Sequence, residues 1–304
     1  MHPTLTLLGH VERTYLVAHL VGIVLGLVLG WRELRRIGLS AARAAATLCG
    51  LVVAAHLGAH AYHVVTNPEH YWLGRGEWRD FATQGLSLHG GILGAYVGLL
   101  VAARLLSVGS WVLGDALAPS GALALGVFRL GCWAEGCCYG RRLPAGSLLE
   151  GVSTMLVRNQ LVSLHPTQLY CAGFAFALFG WMWARRRKQR FEGELAVAGM
   201  VLYPAWRFVV EFWRADTPKS FPVLGLALSS NQLVAAGLFA LGLAFLWRHR
   251  EALRSGAPAG VLGETAGPGA TATDGARRRG ARRRLRVEWS RPSRRRRGAR
   301  APRS

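Results

Sequence analysis

Apolar residues fill seven long stretches of this chain, centred on 14–31, 43–65, 88–106, 111–134, 166–184, 194–213 and 225–247. Each matches the roughly 17–25 residues that a helix needs to cross hydrocarbon. The pattern predicts an all-α fold, a polytopic membrane bundle of about seven transmembrane helices. Basic residues set its orientation, because Lys and Arg are retained on the cytoplasmic side. Arg32, Arg35, Arg36 and Arg43 fall between the first and second runs, and Arg104 between the third and fourth. Arg185, Arg186, Arg187, Lys188 and Arg190 follow the fifth, while Arg248 and Arg250 follow the seventh. All four groups share one side if the N-terminus lies outside and the C-terminus in the cytoplasm. The outer loops are then 66–87, 135–165 and 214–224, the first carrying Tyr71, Trp72 and Trp78 as interfacial aromatics. The first run lacks a basic leader and a small-residue cleavage site, so it is expected to be a retained span.

Three polar stretches interrupt this pattern. They are His89-Gly90-Gly91, the segment Arg129 to Gly140, and Tyr203-x3-Arg207-x3-Glu211-x2-Arg214. A charge at the bilayer centre costs roughly 2.5–3.5 kcal/mol on insertion scales, so these groups need partners, a wet cavity or a ligand. Tyr203, Arg207, Glu211 and Arg214 recur at helical spacing and are expected to share one face turned into the bundle. Two guanidinium groups against one carboxylate favour an anion, and a phosphate suits their bidentate donors. A purely structural Arg–Glu network is the alternative. Arg129 adds a further phosphate contact, and Glu135 lies near the end of the same run. Gly131, Gly136 and Gly140 let backbone approach a neighbour or ligand closely. His89 has the titration range for proton transfer near neutrality, although a lone histidine is more often structural.

Composition changes the picture in two places. Of 304 residues, 51% are hydrophobic and only 17% charged, which fits a membrane protein better than soluble domains. The net charge of +21 suggests nucleic acid until it is located. Residues 251–304 hold fifteen Arg against Glu251, Glu264, Asp274 and Glu288. The chain is therefore divided into a membrane domain, 1–250, and an Arg-rich tail, 251–304, expected to be disordered and cytoplasmic. The tail is read as reinforcing topology, with anionic lipid as a further contact. No nucleic-acid partner is assigned, since no aromatic interleaving or binding module accompanies the arginines. The five cysteines are Cys49, Cys132, Cys137, Cys138 and Cys171, too few for a disulfide scaffold. For Cys132, Cys137 and Cys138 a zinc site with His89 or His165, a disulfide and plain packing all stand open. Packing is the expectation, with no metal and no cofactor assigned.

In this order and at these helix positions, the motifs resemble the prolipoprotein diacylglyceryl transferase family. The resemblance covers most of residues 10–250. It is carried by His89-Gly90-Gly91-Ile92-Leu93-Gly94, Arg129-Leu130-Gly131 through Gly140-Arg141, His165-Pro166-Thr167-Gln168-Leu169-Tyr170, and Tyr203 to Arg214. It implies a multi-pass enzyme of the bacterial inner membrane. Such an enzyme moves a diacylglyceryl group from phosphatidylglycerol to the lipobox cysteine of a preprolipoprotein and releases glycerol-1-phosphate. It further implies His89, Arg129, Tyr203, Arg207 and Glu211 as catalytic residues. Gly90, Gly91, Glu135, Gly140 and Arg214, with Arg129 and Arg207, would contact the phospholipid. Glu211 and Tyr203 would orient Arg207. The chain departs from the family where Asn, Asn and Glu are usual and Cys132, Glu135 and Cys137 stand instead. A relative with another donor or acceptor, or a non-catalytic lipid- or anion-binding protein, is the alternative.

Overall fold

A computed structural model describes residues 4–7, 10–66, 88–157, 160–215, 219–223 and 225–248. Seven long helices occur among them: α1 Thr14–Arg36, α2 Ala41–Thr66, α3 Leu88–Leu105, α4 Ser110–Glu135, α5 Thr167–Arg185, α6 Glu194–Val210 and α7 Ser230–Arg248. They coincide with the seven apolar runs. Five stretches, 14–36, 41–65, 110–135, 194–213 and 230–247, are long and apolar enough to cross a membrane, and Gly90–Leu105 is a shorter apolar helix. The chain is thus a mostly helical, multi-pass membrane protein.

The all-α pattern is trimmed by three antiparallel hairpins that the apolar runs do not signal. Thr4–Leu7 pairs with His10–Arg13, Thr154–Val157 with Gln160–Ser163, and Phe221–Val223 with Leu226–Leu228. The last one takes residues 225–228 out of the seventh run, so α7 starts at Ser230. The loop 67–87, with Tyr71, Trp72 and Trp78, and the tail 251–304 lie outside the described residues.

The apolar faces turn outward in a way that water would penalise. On α1, Leu16, Leu20, Val24 and Val28 recur every four residues and are exposed, forming a stripe for lipid. Helices instead meet through small residues. Gly58 of α2 abuts Gly90 and Gly94 of α3, and a Cβ on Gly94 would sit 3.0 Å from the Gly58 Cα. Gly131 of α4 meets Ala18 of α1 in the same manner. Helix α4 packs along α1, α5 and α6, and so runs through the middle of the bundle.

Helices α4 and α6 run parallel, held at both ends. At their first turns, buried Asp115 of α4 acts as a cap for α6. Its carboxylate accepts from the backbone N–H of Gly193 at 2.6 Å, Leu195 at 2.9 Å and Ala196 at 3.0 Å. These are donors that a helix start leaves without partners. Asp115→Ala is expected to lower stability by roughly 2–3 kcal/mol, because three buried donors lose a charged acceptor. Thermal unfolding in detergent micelles would read this, with Asp115→Asn in between. The same end holds the turns 37–40 and 186–193. There, buried Glu33 takes Arg36 at 2.6 Å and Arg186 at 3.3 Å. At the other end, an isolated bridge joins Gly140 to Arg214.

Candidate active site

The end with the Gly140–Arg214 bridge is built from chain reversals. Helix α4 stops at Gly136, whose left-handed backbone (φ 80°) is open to glycine. The N–H groups of Gly136 and Cys137 both return to the Cys132 carbonyl, at 3.1 and 3.2 Å. This turn folds Cys137 and Cys138 back over Cys132. Buried side chains at the start of α5 fix it: Thr167 Oγ1 donates to the Cys138 carbonyl and Gln168 Nε2 to the Cys137 carbonyl, both at 2.6 Å. Gly140 then donates to the His165 carbonyl at 3.0 Å, and a Cβ there would lie 2.5 Å from the His165 Cβ. Arg141 donates to the Trp213 carbonyl at 2.7 Å. The end of α4 and the end of α6 are thereby sewn together.

Helix α6 ends at Val210, and Glu211–Trp213 forms a short 3-10 turn. The single helical face expected for the four polar residues therefore reaches only Tyr203 and Arg207. Arg214, in extended backbone, is brought back by the turn and the bridge to Gly140. Glu211 is fully buried and gathers the cations. It pairs with Arg207 and stands 4.0 Å from the Arg214 Nε. It also accepts from Ser229 Oγ at 2.9 Å and Asn231 Nδ2 at 3.1 Å. Ser229 and Gln232 form a capping box at the start of α7, each side chain bonding the other's backbone N–H. The cap thus places Ser229 and Asn231 against Glu211.

A cavity of about 210 Å³ opens between these elements. Its walls include Arg129, Arg207, Arg214, Tyr203, Asn231, Cys138 and Ile92. Three guanidinium groups face one carboxylate, which leaves the space electropositive. Arg129 is 6% exposed, yet its Nε has no hydrogen-bond partner among the described residues, and neither does the Tyr203 hydroxyl. Buried polar atoms left open toward a cavity are the signature of a ligand site. An apolar cavity of about 280 Å³ adjoins it, sharing Pro204 and Ala235 and adding Phe208 and Phe239.

The sequence-derived candidates are thus partly united. Arg129, Tyr203, Arg207 and Arg214 line one cavity, with Glu211 paired to Arg207. The Tyr203 hydroxyl does not bond Arg207, so the orienting contact falls to Glu211 alone. Gly140 belongs to the turn that carries Arg214. Glu135, the last residue of α4, is outside the cavity wall and has one buried oxygen without a partner among the described residues. Gly90 and Gly91 serve the approach of α2 and α3. The His89 side chain lies outside the described residues, although Ile92, three positions on, is in the wall. Residues not anticipated are Asn231 and Ser229, and Cys138, expected to pack, stands in the wall. The first two had a readable signal in the Ser229-x-x-Gln232 capping box.

The three sulfurs of Cys132, Cys137 and Cys138 lie within 4.8 Å of one another. Hydrogen bonds from Cys132 and Cys137, then Arg214 and Arg129, draw the Cys138 thiol well below its ordinary range. Bonding to Cys132 and Cys138, with burial, pushes Cys137 up. Burial lowers the His165 pKa, and the ring Nδ1 lies 3.1 Å from the Tyr170 hydroxyl.

Comparison with known proteins shows the family. The family model described as prolipoprotein diacylglyceryl transferase matches residues 3–248. The phosphatidylglycerol–prolipoprotein diacylglyceryl transferase of Geobacter sulfurreducens is 30% identical over 249 residues, covering 79% of this chain and 92% of the relative. That of Bordetella avium is 32% identical over 203 residues, covering 65% and 72%. That of Dehalococcoides mccartyi strain 195 is 30% identical over 190 residues, covering 62% and 70%. With the match running from the first hairpin to the end of α7, this chain belongs to the prolipoprotein diacylglyceryl transferase family.

Proposed function

We propose that the chain transfers a diacylglyceryl group from phosphatidylglycerol to the lipobox cysteine thiol of a preprolipoprotein. The observation that carries this reading is the cavity with three arginines, one carboxylate and unpartnered buried donors, beside an apolar cavity. A phospholipid needs both. Its phosphate sits among Arg129, Arg207 and Arg214, and an acyl chain takes the apolar space beyond Pro204. The acceptor thiolate attacks the glycerol carbon next to the phosphate. The S–C bond forms as the C–O bond breaks, and its electron pair leaves with glycerol-1-phosphate. The guanidinium groups stabilise the charge that grows on the leaving group. Glu211 positions Arg207, and the Tyr203 hydroxyl is a further donor toward the lipid. His89, at the start of α3, serves as proton acceptor, with Glu135 as the second candidate. Gly90, Gly91 and Gly140 let the backbone come close enough to shape the site.

The basic residues flanking the turn 37–40 and those of the turn 186–193 gather at one end of the bundle, and the site lies at the other. Under the positive-inside rule the site opens outward, with the N-terminus outside and the C-terminus in the cytoplasm of a bacterium, in its inner membrane. Residues 1–250 are then the catalytic domain. Residues 251–304 are a cytoplasmic tail whose arginines touch anionic lipid. Deletion of 255–304 is expected to leave most of the activity.

The test incubates purified protein with phosphatidylglycerol and a lipobox peptide and follows thioether-linked diacylglycerol on the peptide. No product under conditions where a characterised relative works would sink the reading. Binding of phosphatidylglycerol without transfer would leave a lipid-binding protein.

A further inference from the structure

Three thiols gather at the end of α4, one of them, Cys138, in the cavity wall, and three is a telling number. A disulfide uses two sulfurs and leaves one over, whereas a catalytic zinc site has three protein ligands and one open position. The Gly136 turn brings Cys137 and Cys138 back over Cys132, so that all three sulfurs lie within 4.8 Å of one another. A tetrahedral zinc with Zn–S bonds of about 2.3 Å holds its sulfurs about 3.8 Å apart. Small side-chain rotations close that difference. The supports behind the ligands are in place, since Thr167 and Gln168 hold the Cys138 and Cys137 carbonyls at 2.6 Å. Such outer contacts orient metal ligands. Charge also favours the site: three thiolates and one divalent ion carry a net −1, which the acceptor thiolate raises to −2, opposite Arg129 and Arg214 in the cavity with Cys138.

We propose that Cys132, Cys137 and Cys138 bind one zinc ion, and that its fourth coordination position, on the Cys138 side, receives the acceptor thiol from the cavity. The proposal rests on the reading of this chain as a thiol-alkylating transferase. Coordination favours the thiolate, and the thiol proton passes to His89, the proton acceptor of the proposed reaction. The zinc-bound thiolate forms the S–C bond while the glycerol C–O bond breaks. The electron pair leaves on the phosphate monoester, glycerol-1-phosphate. The neutral thioether is a poorer ligand than a thiolate, and the product departs. No oxidant or reductant is consumed.

The full chain, purified in detergent without chelator, is expected to carry one zinc per molecule by elemental mass spectrometry. Cys132→Ser and Cys138→Ser are each expected to lower that content at least tenfold, while Cys49→Ser, on exposed α2 surface, retains it. Cobalt-loaded protein should show intense sulfur-to-cobalt charge transfer, and a lipobox peptide should shift that band where its Cys→Ser version does not. The metal reading is overturned by a chain that stays metal-free after incubation with zinc. Zinc retained in Cys138→Ser, or a disulfide among the three cysteines in non-reduced peptide maps, overturns it equally. The two readings fail separately. Transfer that continues after chelation, with no zinc remaining, defeats the metal and leaves the transferase. Zinc at the three cysteines and a peptide-shifted band, with no lipid transferred, uphold the thiol site and defeat the phosphatidylglycerol donor.

Discussion

Arg207→Ala is expected to lower kcat/KM for lipid transfer by at least ~100-fold, the scale of losing one preorganised donor to a developing oxyanion. The phosphate of the lipid carries one charge as a diester and gains a second as the C–O bond breaks. A guanidinium in the cavity wall therefore stabilises the transition state more than the bound lipid. The loss should appear in kcat as well as in KM. Arg207→Lys is expected to recover only part of it, because an ammonium cannot present two parallel donors. Steady-state rates at varied phosphatidylglycerol in mixed micelles measure both. A near wild-type rate for Arg207→Ala would remove the phosphate role assigned to it.

Glu211→Ala is expected to act on the fold as much as on the chemistry. The carboxylate is fully buried, pairs with Arg207, lies near Arg214, and accepts from Ser229 and Asn231. Removing it leaves buried cations and two donors facing each other without a counter-charge. Breaking a buried pair from one side costs roughly 3–5 kcal/mol. The expected result is a large fall in thermal midpoint and in yield of folded protein. Glu211→Gln should be milder, since its amide oxygen still accepts from Ser229 and Asn231. The double variant Arg207→Ala with Glu211→Ala should be less unstable than the sum of the singles, because one buried charge no longer lacks its partner. A Glu211→Ala protein as stable as wild type would show that the cations are solvated rather than buried.

The two variants separate roles that lie one helical turn apart. Arg207 faces the cavity and is expected to fail in turnover, with a smaller loss of stability because Glu211 keeps Arg214, Ser229 and Asn231 as neighbours. Glu211 faces Ser229 and Asn231 and is expected to fail in folding first. Asp115 does for the opposite end of α4 and α6 what Glu211 does here, with smaller effect because backbone donors rather than full charges lose their partner.

Much of this protein is legible without coordinates. Hydrocarbon thickness demands runs of a fixed length, so all seven helices could be read from apolar periodicity alone. The cost of charge in a membrane singled out Arg129, Arg207, Glu211 and Arg214 before any geometry was known. The direct neighbours Arg207 and Glu211 were readable too, since they stand four apart in sequence and the 3-10 turn continues the helical path as far as Glu211. Tertiary structure decided everything that depends on chain reversal. The helix ends at Val210, so Arg214 joins the cavity through a 3-10 turn and a bridge to Gly140. Asn231 enters from α7 because a capping box aims its first turn at Glu211. Cys132 and Cys138 are six apart in sequence, and only the left-handed turn at Gly136 places their sulfurs together. Periodicity reports which residues must avoid lipid, because that cost is paid residue by residue. It does not report which of them meet, because that depends on where each helix stops and what holds the turn.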